Sequence, residues 1–384
     1  MNKDKTIESL TRYVTTTMIA FLLVSFFALF TLNVSFLNPI GRVIKDFSMT
    51  DYYYQVMENG VPDTSRLVTI VDMTEQTLRR NIRETIDNIE KCKPKTVGVD
   101  VVFEGLKEDA IGDMLIEEAA SIYNNIVFSY RLQDYDEIRK EYAYEVHSFF
   151  FTDSTSVIEG YTNFDRYLYG GIKRKLSFNR RIKGELKPSF ITQVINNYAG
   201  QEVIDMHNDD WEINYTPIYF HVVRYDSIGY CKDLLTDRIV LLGAMHEDND
   251  MHYTPLGKMA GVKLLAYSVE TAAQKKEVRH LPIAMVLPLS FLLVMLTMWL
   301  KENYKLLIKT SIKSDLLQAL LTSSYVMSII TFLWMSLQMG GAYLLFYVTG
   351  YDFNLGLTLS TSAFIGTASG FYITCLNHYK SVGK

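Results

Sequence analysis

Apolar residues follow two patterns along this chain. In one they form long uncharged runs: residues 316–351 and 353–377 contain no Asp, Glu, Lys or Arg, and only Asp352 separates them. Apolar stretches at 14–37, 283–300, 316–339 and 353–376 each approach the roughly 20 residues that a helix needs to cross a bilayer. They predict four membrane helices, with 14–37, 281–300, 316–346 and 353–376 assigned to the membrane. In residues 38–280 the pattern changes to short β-branched runs and helical periodicity, the mark of a folded domain with its own core.

Within that domain, residues 66–73 (RLVTIVDM) and 96–103 (TVGVDVVF) read as buried strands that carry the acids Asp72 and Asp100. Between them Leu78, Ile82, Ile86 and Ile89 recur at helical spacing and Pro94 closes the segment, which makes a βαβ unit. Such crossovers are right-handed and imply a parallel sheet. A second helix at 109–123, a strand at 126–130 and another at 238–244 (RIVLLGA) extend an open α/β sheet. Residues 157–178 alternate around Gly170 and Gly171 and predict an antiparallel hairpin at the sheet edge. A helix at 188–198 and strands within 211–225, broken at Pro217, complete the domain. The expected fold is therefore an α/β extracytoplasmic domain, with a mostly parallel sheet and an antiparallel edge, plus four transmembrane α-helices.

Composition supports this division, since 48% apolar residues with a mean hydropathy of only +0.05 average a lipid-facing part with a soluble one. Lys301, Lys305, Lys309 and Lys313 stand against Glu302 in the loop 301–315, whereas the turn between the last two spans carries only Asp352. The basic loop is then cytoplasmic, as are residues 1–13 and 377–384, and the domain faces the periplasm or the exterior of a bacterial inner membrane. The first span has the core length of a signal peptide, but no small-x-small cleavage site follows it, and cleavage would leave the topology unchanged. A net charge of -5 disfavours a nucleic-acid partner. Of three cysteines, Cys92 and Cys231 are the exported pair; a bridge between them is compatible with the sequence, and their spacing implies no metal site.

Candidate chemistry is sparse. Asp72 and Asp100 lie at carboxyl ends of parallel strands, where open α/β sheets place ligand crevices. They would bind a cation, an amine or a hydroxylated ligand, or else cap the turns that follow. His246, Asp248, Asp250 and His252 follow the fourth strand; extended, they would form a mixed metal-ligand set, while Asn249 and Pro255 favour a turn. Ligand contact is assigned to Asp72, Asp100, His246, Asp250 and His252, with no catalytic residue, metal or cofactor. No nucleophile elbow or phosphate loop is present, so no enzyme activity is expected. The spans lack the mid-depth ionisable residues of a transporter. Small residues in the last one, Gly356, Ser360, Ala363, Gly366, Ala368 and Gly370, suit close helix packing or a homo-oligomer. Lys301, Lys305, Lys309 and Lys313, spaced by four beside Tyr304, Ile308 and Ile312, predict an amphipathic helix on anionic lipid or a docking surface for a partner.

The order RLVTIVDM, KTVGVDVVF, EGYTNFDRYLYGGIKRKLSF, KPSFITQVINNYAG and DRIVLLGAMHEDNDMHYTPLGKMAGVKLLAYSVE resembles the type-2 CHASE family of bacterial extracellular sensory domains. The resemblance covers residues 51–270, and one span before the domain with three after it is also the family's arrangement. Its most specific part runs from Gly243 through Asp250, His252, Thr254, Pro255 and Leu256 to Gly261 and Ala266. Relatives often carry a second acid where this chain has Thr74, and a Trp/Pro-rich turn that residues 77–88 lack. Most continue into a kinase, cyclase or other output module, whereas only seven residues follow the last apolar run here. The resemblance thus implies a sensor or adaptor that signals through a separate membrane or cytoplasmic protein; the alternative is a structural docking subunit of an envelope complex.

Overall fold

The computed structural model describes residues 3–33, 48–152, 156–164, 171–205 and 209–382. These divide into a helical unit, Met1–Thr50 with Arg279–Lys384, and a globular unit, Asp51–Val278. In chain order α1 (Lys3–Asn33) and α2 (Met49–Glu58) precede β1 (Asp63–Asp72), α3 (Arg79–Glu90), β2 (Thr96–Val99), α4 (Ala110–Ile122) and β3 (Ile126–Asp136). Then come β4 (Glu141–Val146), β5 (Ile158–Tyr161), β6 (Lys175–Leu176), β7 (Asn179–Ile182), β8 (Glu185–Pro188), α5 (Phe190–Ala199) and β9 (Trp211–Glu212). The globular unit closes with β10 (Ile218–Arg224), β11 (Ile239–Gly243), β12 (Met251–Thr254), β13 (Gly257–Ala260) and α6 (Gly261–Ala273).

A parallel sheet in the order β10-β1-β11-β2-β3-β5 forms the centre of this unit. All five residues of β11 are buried, because helices cover both faces of the sheet. The helical spacing read from the sequence places Ile82, Ile86 and Ile89 of α3 against Val97, Val99, Val240 and Leu242, joined by Ile116 of α4. On the other face α5 and α6 pack against β1, β2, β3, β5 and β11. Ser189 caps α5 by accepting from the Thr192 N–H, and Gly200 ends it at φ 68°.

The strand pairing at the sheet edge differs from the sequence reading. The antiparallel edge exists, but it is formed by the far half of β3 with β4 and by β7 with β8. β5 instead runs parallel to β3, and β6 pairs with β9, so among the described residues the two flanks of Gly170 and Gly171 do not form one hairpin. The turn at Gly170 lies outside the described residues. Glu159, Gly160 and Tyr161 are buried although β5 ends the parallel order, because α5 packs over them.

The helical unit contains β14 (Arg279–His280), α7 (Ile283–Ser311), α8 (Asp315–Leu321), α9 (Ser324–Thr349), β15 (Tyr351–Asp352) and α10 (Gly356–Val382). Among the described residues four helices are long and apolar enough to cross a membrane: Ile7–Leu29, Ile283–Ser311, Ser324–Thr349 and Gly356–Ser381. The first begins earlier than the predicted 14–37, whose end lies outside the described residues. The third is preceded by a separate short helix, because Ser314 and Ser323 each cap a new start. The basic segment is a continuation of α7 through Lys301, Lys305 and Lys309, and Lys313 falls in the break before α8. Glu302 accepts from Arg12 and from the Tyr13 hydroxyl, so the amino-terminal part of α1 and the carboxyl-terminal part of α7 lie at one end of the bundle.

Candidate functional site

The parallel sheet aligns Asp72 with Gly243, while the Asp100 N–H donates to the Leu242 carbonyl on the other side of β11. Two strand spacings, about 9–10 Å, therefore separate the two acids' backbones. Asp72 is occupied. Its Oδ1 accepts from Thr74 N at 2.9 Å, Thr74 Oγ1 at 2.5 Å and Met245 N at 3.2 Å, and Thr74 Oγ1 also accepts from the N–H of Met245 and His246. It thus closes its own turn and fixes the loop after β11. Thr74 completes this lock as a hydroxyl that both donates and accepts.

Asp100 has different surroundings. Among the described residues no hydrogen-bond donor reaches its carboxyl, and burial, with a smaller contribution from the charge of Asp250, pushes its pKa up to about 7. A Cβ on Gly243 would lie 2.7 Å from Val262 Cβ and 3.4 Å from Asp100 Cβ, so the glycine permits α6 to approach the sheet beside this acid. Asp250 lies over Gly261 at the start of α6, with one oxygen 2.3 Å from where a Cβ would be, and its Oδ1 is 3.3 Å from His252 Nε2. The fold therefore brings Asp100, Asp250 and His252 to the amino terminus of α6 and leaves Asp72 engaged with Thr74 and Met245.

Asp248–Asp250 forms a short 3-10 turn and His252 lies in the β12–β13 hairpin, so the His/Asp series does not adopt the extended form that aligns all four side chains. Thr254 closes the hairpin, accepting from Leu256 N and donating to the Gly257 carbonyl. Among the described residues no three His, Cys, Asp or Glu side chains converge as a metal site. Cys92 and Cys231 are free thiols; Cys92 Sγ lies 3.4 Å from the Asn88 carbonyl, and burial raises its pKa. Of the lysine series, Lys305, Lys309 and Lys313 are exposed. The neighbouring Tyr304 and Ile312 meet the chain's own next helix, Tyr304 Oη donating to the Leu321 carbonyl and Gln318 to that of Ile312.

The sequence reading missed three buried polar clusters in the globular unit. Arg79 is 7% exposed, pairs with Asp113, donates to the carbonyls of Glu104 and Gly105, and stacks 4.8 Å from the Phe149 ring. His147 Nδ1 lies 2.6 Å from Glu159 Oε2, with its ring between Tyr130 and Phe151. At the amino-terminal edge of β1, Glu270 (4% exposed) accepts from Ser65 Oγ at 2.8 Å and from Gln274. Burial raises the Glu270 pKa, which the Ser65 bond and Lys276 lower. Here a cavity of about 630 Å³ opens, bordered by Asp63, Arg66, Asn214, Glu270, Thr271 and Lys276. The signal for this site was a single acid within the apolar helix GVKLLAYSVETAA.

Neither a curated protein nor a solved structure matches the chain. A family profile described as CHASE2 domain matches residues 19–300, which spans the whole globular unit and extends into the membrane helices on both sides. The match covers well over half of the chain, and this chain is a member of the CHASE2 family of extracellular sensory domains.

Proposed function

We propose that this CHASE2 protein is a sensor in a bacterial inner membrane, with its domain on the periplasmic side. It relays the state of that domain to a separate signalling protein and performs no chemistry of its own. One observation carries the reading: the chain that leaves the globular unit is bonded to the turn between the last two membrane helices. β14 pairs with β15 in parallel, Arg279 N donates to the Gly350 carbonyl and Leu281 N to that of Asp352. His280 Nδ1 lies 3.1 Å from Asp352 Oδ2, and Asp352 is only 2% exposed. A displacement of residues 279–281 is therefore imposed on α9 and α10 as well as on α7.

The chain that enters the domain is also bound to it. Asp51 in α2 pairs with Arg174, and the rings of Tyr54, Tyr215 and Tyr267 form a continuous series that reaches α6. A ligand that favours one arrangement of this unit shifts the bonded segments by no more than its differential affinity. Support for the orientation comes from the lysine series and from Arg12 and Tyr13 meeting Glu302 at one end of the bundle. Support for a partner in the membrane comes from α10, where Ser360, Ala363, Gly366 and Gly370 are exposed and, among the described residues, no atom beyond the helix's own adjacent turns lies within 4 Å of a Cβ on either glycine. Such a face admits a close second helix, from a partner or from another copy of this chain.

Purification of the full-length protein in detergent, with identification of what accompanies it, tests the proposal. Recovery of a protein with a catalytic cytoplasmic domain, lost in Gly366→Leu/Gly370→Leu or in Lys305→Glu/Lys309→Glu, is the expected result. Recovery of nothing overturns it, and recovery of envelope scaffold proteins alone overturns it in favour of the docking subunit.

A further inference from the structure

We infer that the cavity at the amino-terminal edge of β1 is the ligand site of this sensor, and that it takes a small zwitterion of the amino-acid type. The ammonium group is placed on Glu270 and the carboxylate between Arg66 and Lys276. The inference rests on the sensor reading and gives it a ligand class.

The floor of the cavity is buried and polar: Ser65 is 3% exposed, Glu270 4% and Thr271 2%. Its rim is exposed and carries Arg66 and Lys276, neither of which has an ion-pair partner among the described residues, together with Asp63. About 630 Å³ is within the range of small-molecule sites. A carboxylate offers about four acceptor positions, and Glu270 uses two of them for Ser65 and Gln274, which leaves capacity for an ammonium group. Burial disfavours the ionised form of Glu270, so a cation beside it offsets that cost. Opposite charges at two depths fit a molecule that carries both, and an amine or an acid alone satisfies only half of the site.

The backbone around the cavity is shaped for this. Between Thr64 and Thr69 the pairing of β1 with β10 shifts register, and the Ser65 hydroxyl holds the irregular segment by accepting from Leu67 N and Val68 N while donating to Glu270. Breaks in strand register are common beside binding sites, where they redirect side chains. Glu270 is in the last turn of α6, after which Lys276 N donates to the Thr271 carbonyl and the Lys276 carbonyl accepts from Asn214 Nδ2. Three residues later the chain reaches Arg279, where it re-enters the helical unit. A ligand that draws Lys276 toward Glu270 and Arg66 therefore acts on the segment whose continuation pairs with β15.

Calorimetric titration of the full-length protein in detergent tests this, with each common L-amino acid in turn and with ethylamine and acetate as single-charge probes. The expected result is saturable binding of at least one amino acid, with both single-charge probes about tenfold weaker or worse. Glu270→Gln, and separately Arg66→Met/Lys276→Met on the exposed rim, each weaken it by about tenfold or more. Should Glu270→Gln lower the melting temperature, the rim variant decides. Absence of binding by every amino acid, equal binding of ethylamine, or unchanged affinity in the rim variant overturns the inference. Lost binding with the catalytic partner still recovered removes only the ligand class, whereas binding without a partner removes the relay.

Discussion

Asp72 and Asp100 are the same residue type at comparable strand ends, yet the fold gives them opposite surroundings. Asp72 accepts three hydrogen bonds, while Asp100 is recessed among described groups that donate none to it and faces Asp250. An aspartate in the unfolded chain titrates near 3.9. With the folded value at about 7, the folded chain keeps a proton that the unfolded chain has released. The stability linked to Asp100 is therefore fully present below about pH 4 and is lost as pH rises through about 7. Asp100→Asn removes that loss and should raise stability at pH 8 by on the order of 2 kcal/mol, a figure reduced for water access at a half-buried group. Glu90, also pushed up to about 7 by burial, with Asn125 opposing and Asp87 adding, leaves a smaller slope of the same sign. Thermal melting from about pH 5 to 8 checks this: an unaltered pH slope in Asp100→Asn would mean that the acid is already ionised.

At the level of elements, close contact between α5 and the sheet depends on glycine. A Cβ on Gly160 of β5 would lie 2.4 Å from Phe190 Cα and 2.5 Å from its nitrogen, and backbone cannot rotate away as a side chain can. Gly160→Ala should destabilise the globular unit by about 2 kcal/mol or more, read as a lower urea midpoint. At Gly98 the obstacles are the Phe190 ring and a Leu241 methyl, so the penalty there should be smaller. Periodicity made the parallel core legible, because Ile82, Ile86 and Ile89 report one helix face and RIVLLGA reports a strand buried on both sides. It could not reveal which strands pair, since β5 carries the same alternation beside β3 as it would in a hairpin. The strand-end acids were legible as residues, but not their division of labour, which depends on Thr74 and on the loop after β11. Ser65 and Glu270 are 205 positions apart and meet only through tertiary structure.

Over the whole molecule, the relay stands or falls on one small contact, the pairing of β14 with β15. Its backbone bonds, Arg279 N to Gly350 and Leu281 N to Asp352, are flanked by the His280 and Asp352 side chains. Two effects oppose each other at Asp352. The contact between Oδ2 and His280 holds the strands together, while Oδ1 is buried and has no hydrogen-bond partner among the described residues, which costs free energy. If the His280 contact wins, Asp352→Ala loosens the pairing, and the amide protons of Arg279 and Leu281 should exchange about three- to tenfold faster. The amides of β11, deep in the other unit, should be unaffected. Slower exchange in the variant would mean that the unsatisfied oxygen dominates, and that Asp352 strains the junction instead of fastening it. Hydrogen exchange on the full-length protein separates these outcomes, and with them decides whether the chain leaving the domain is firmly or loosely joined to the last two membrane helices.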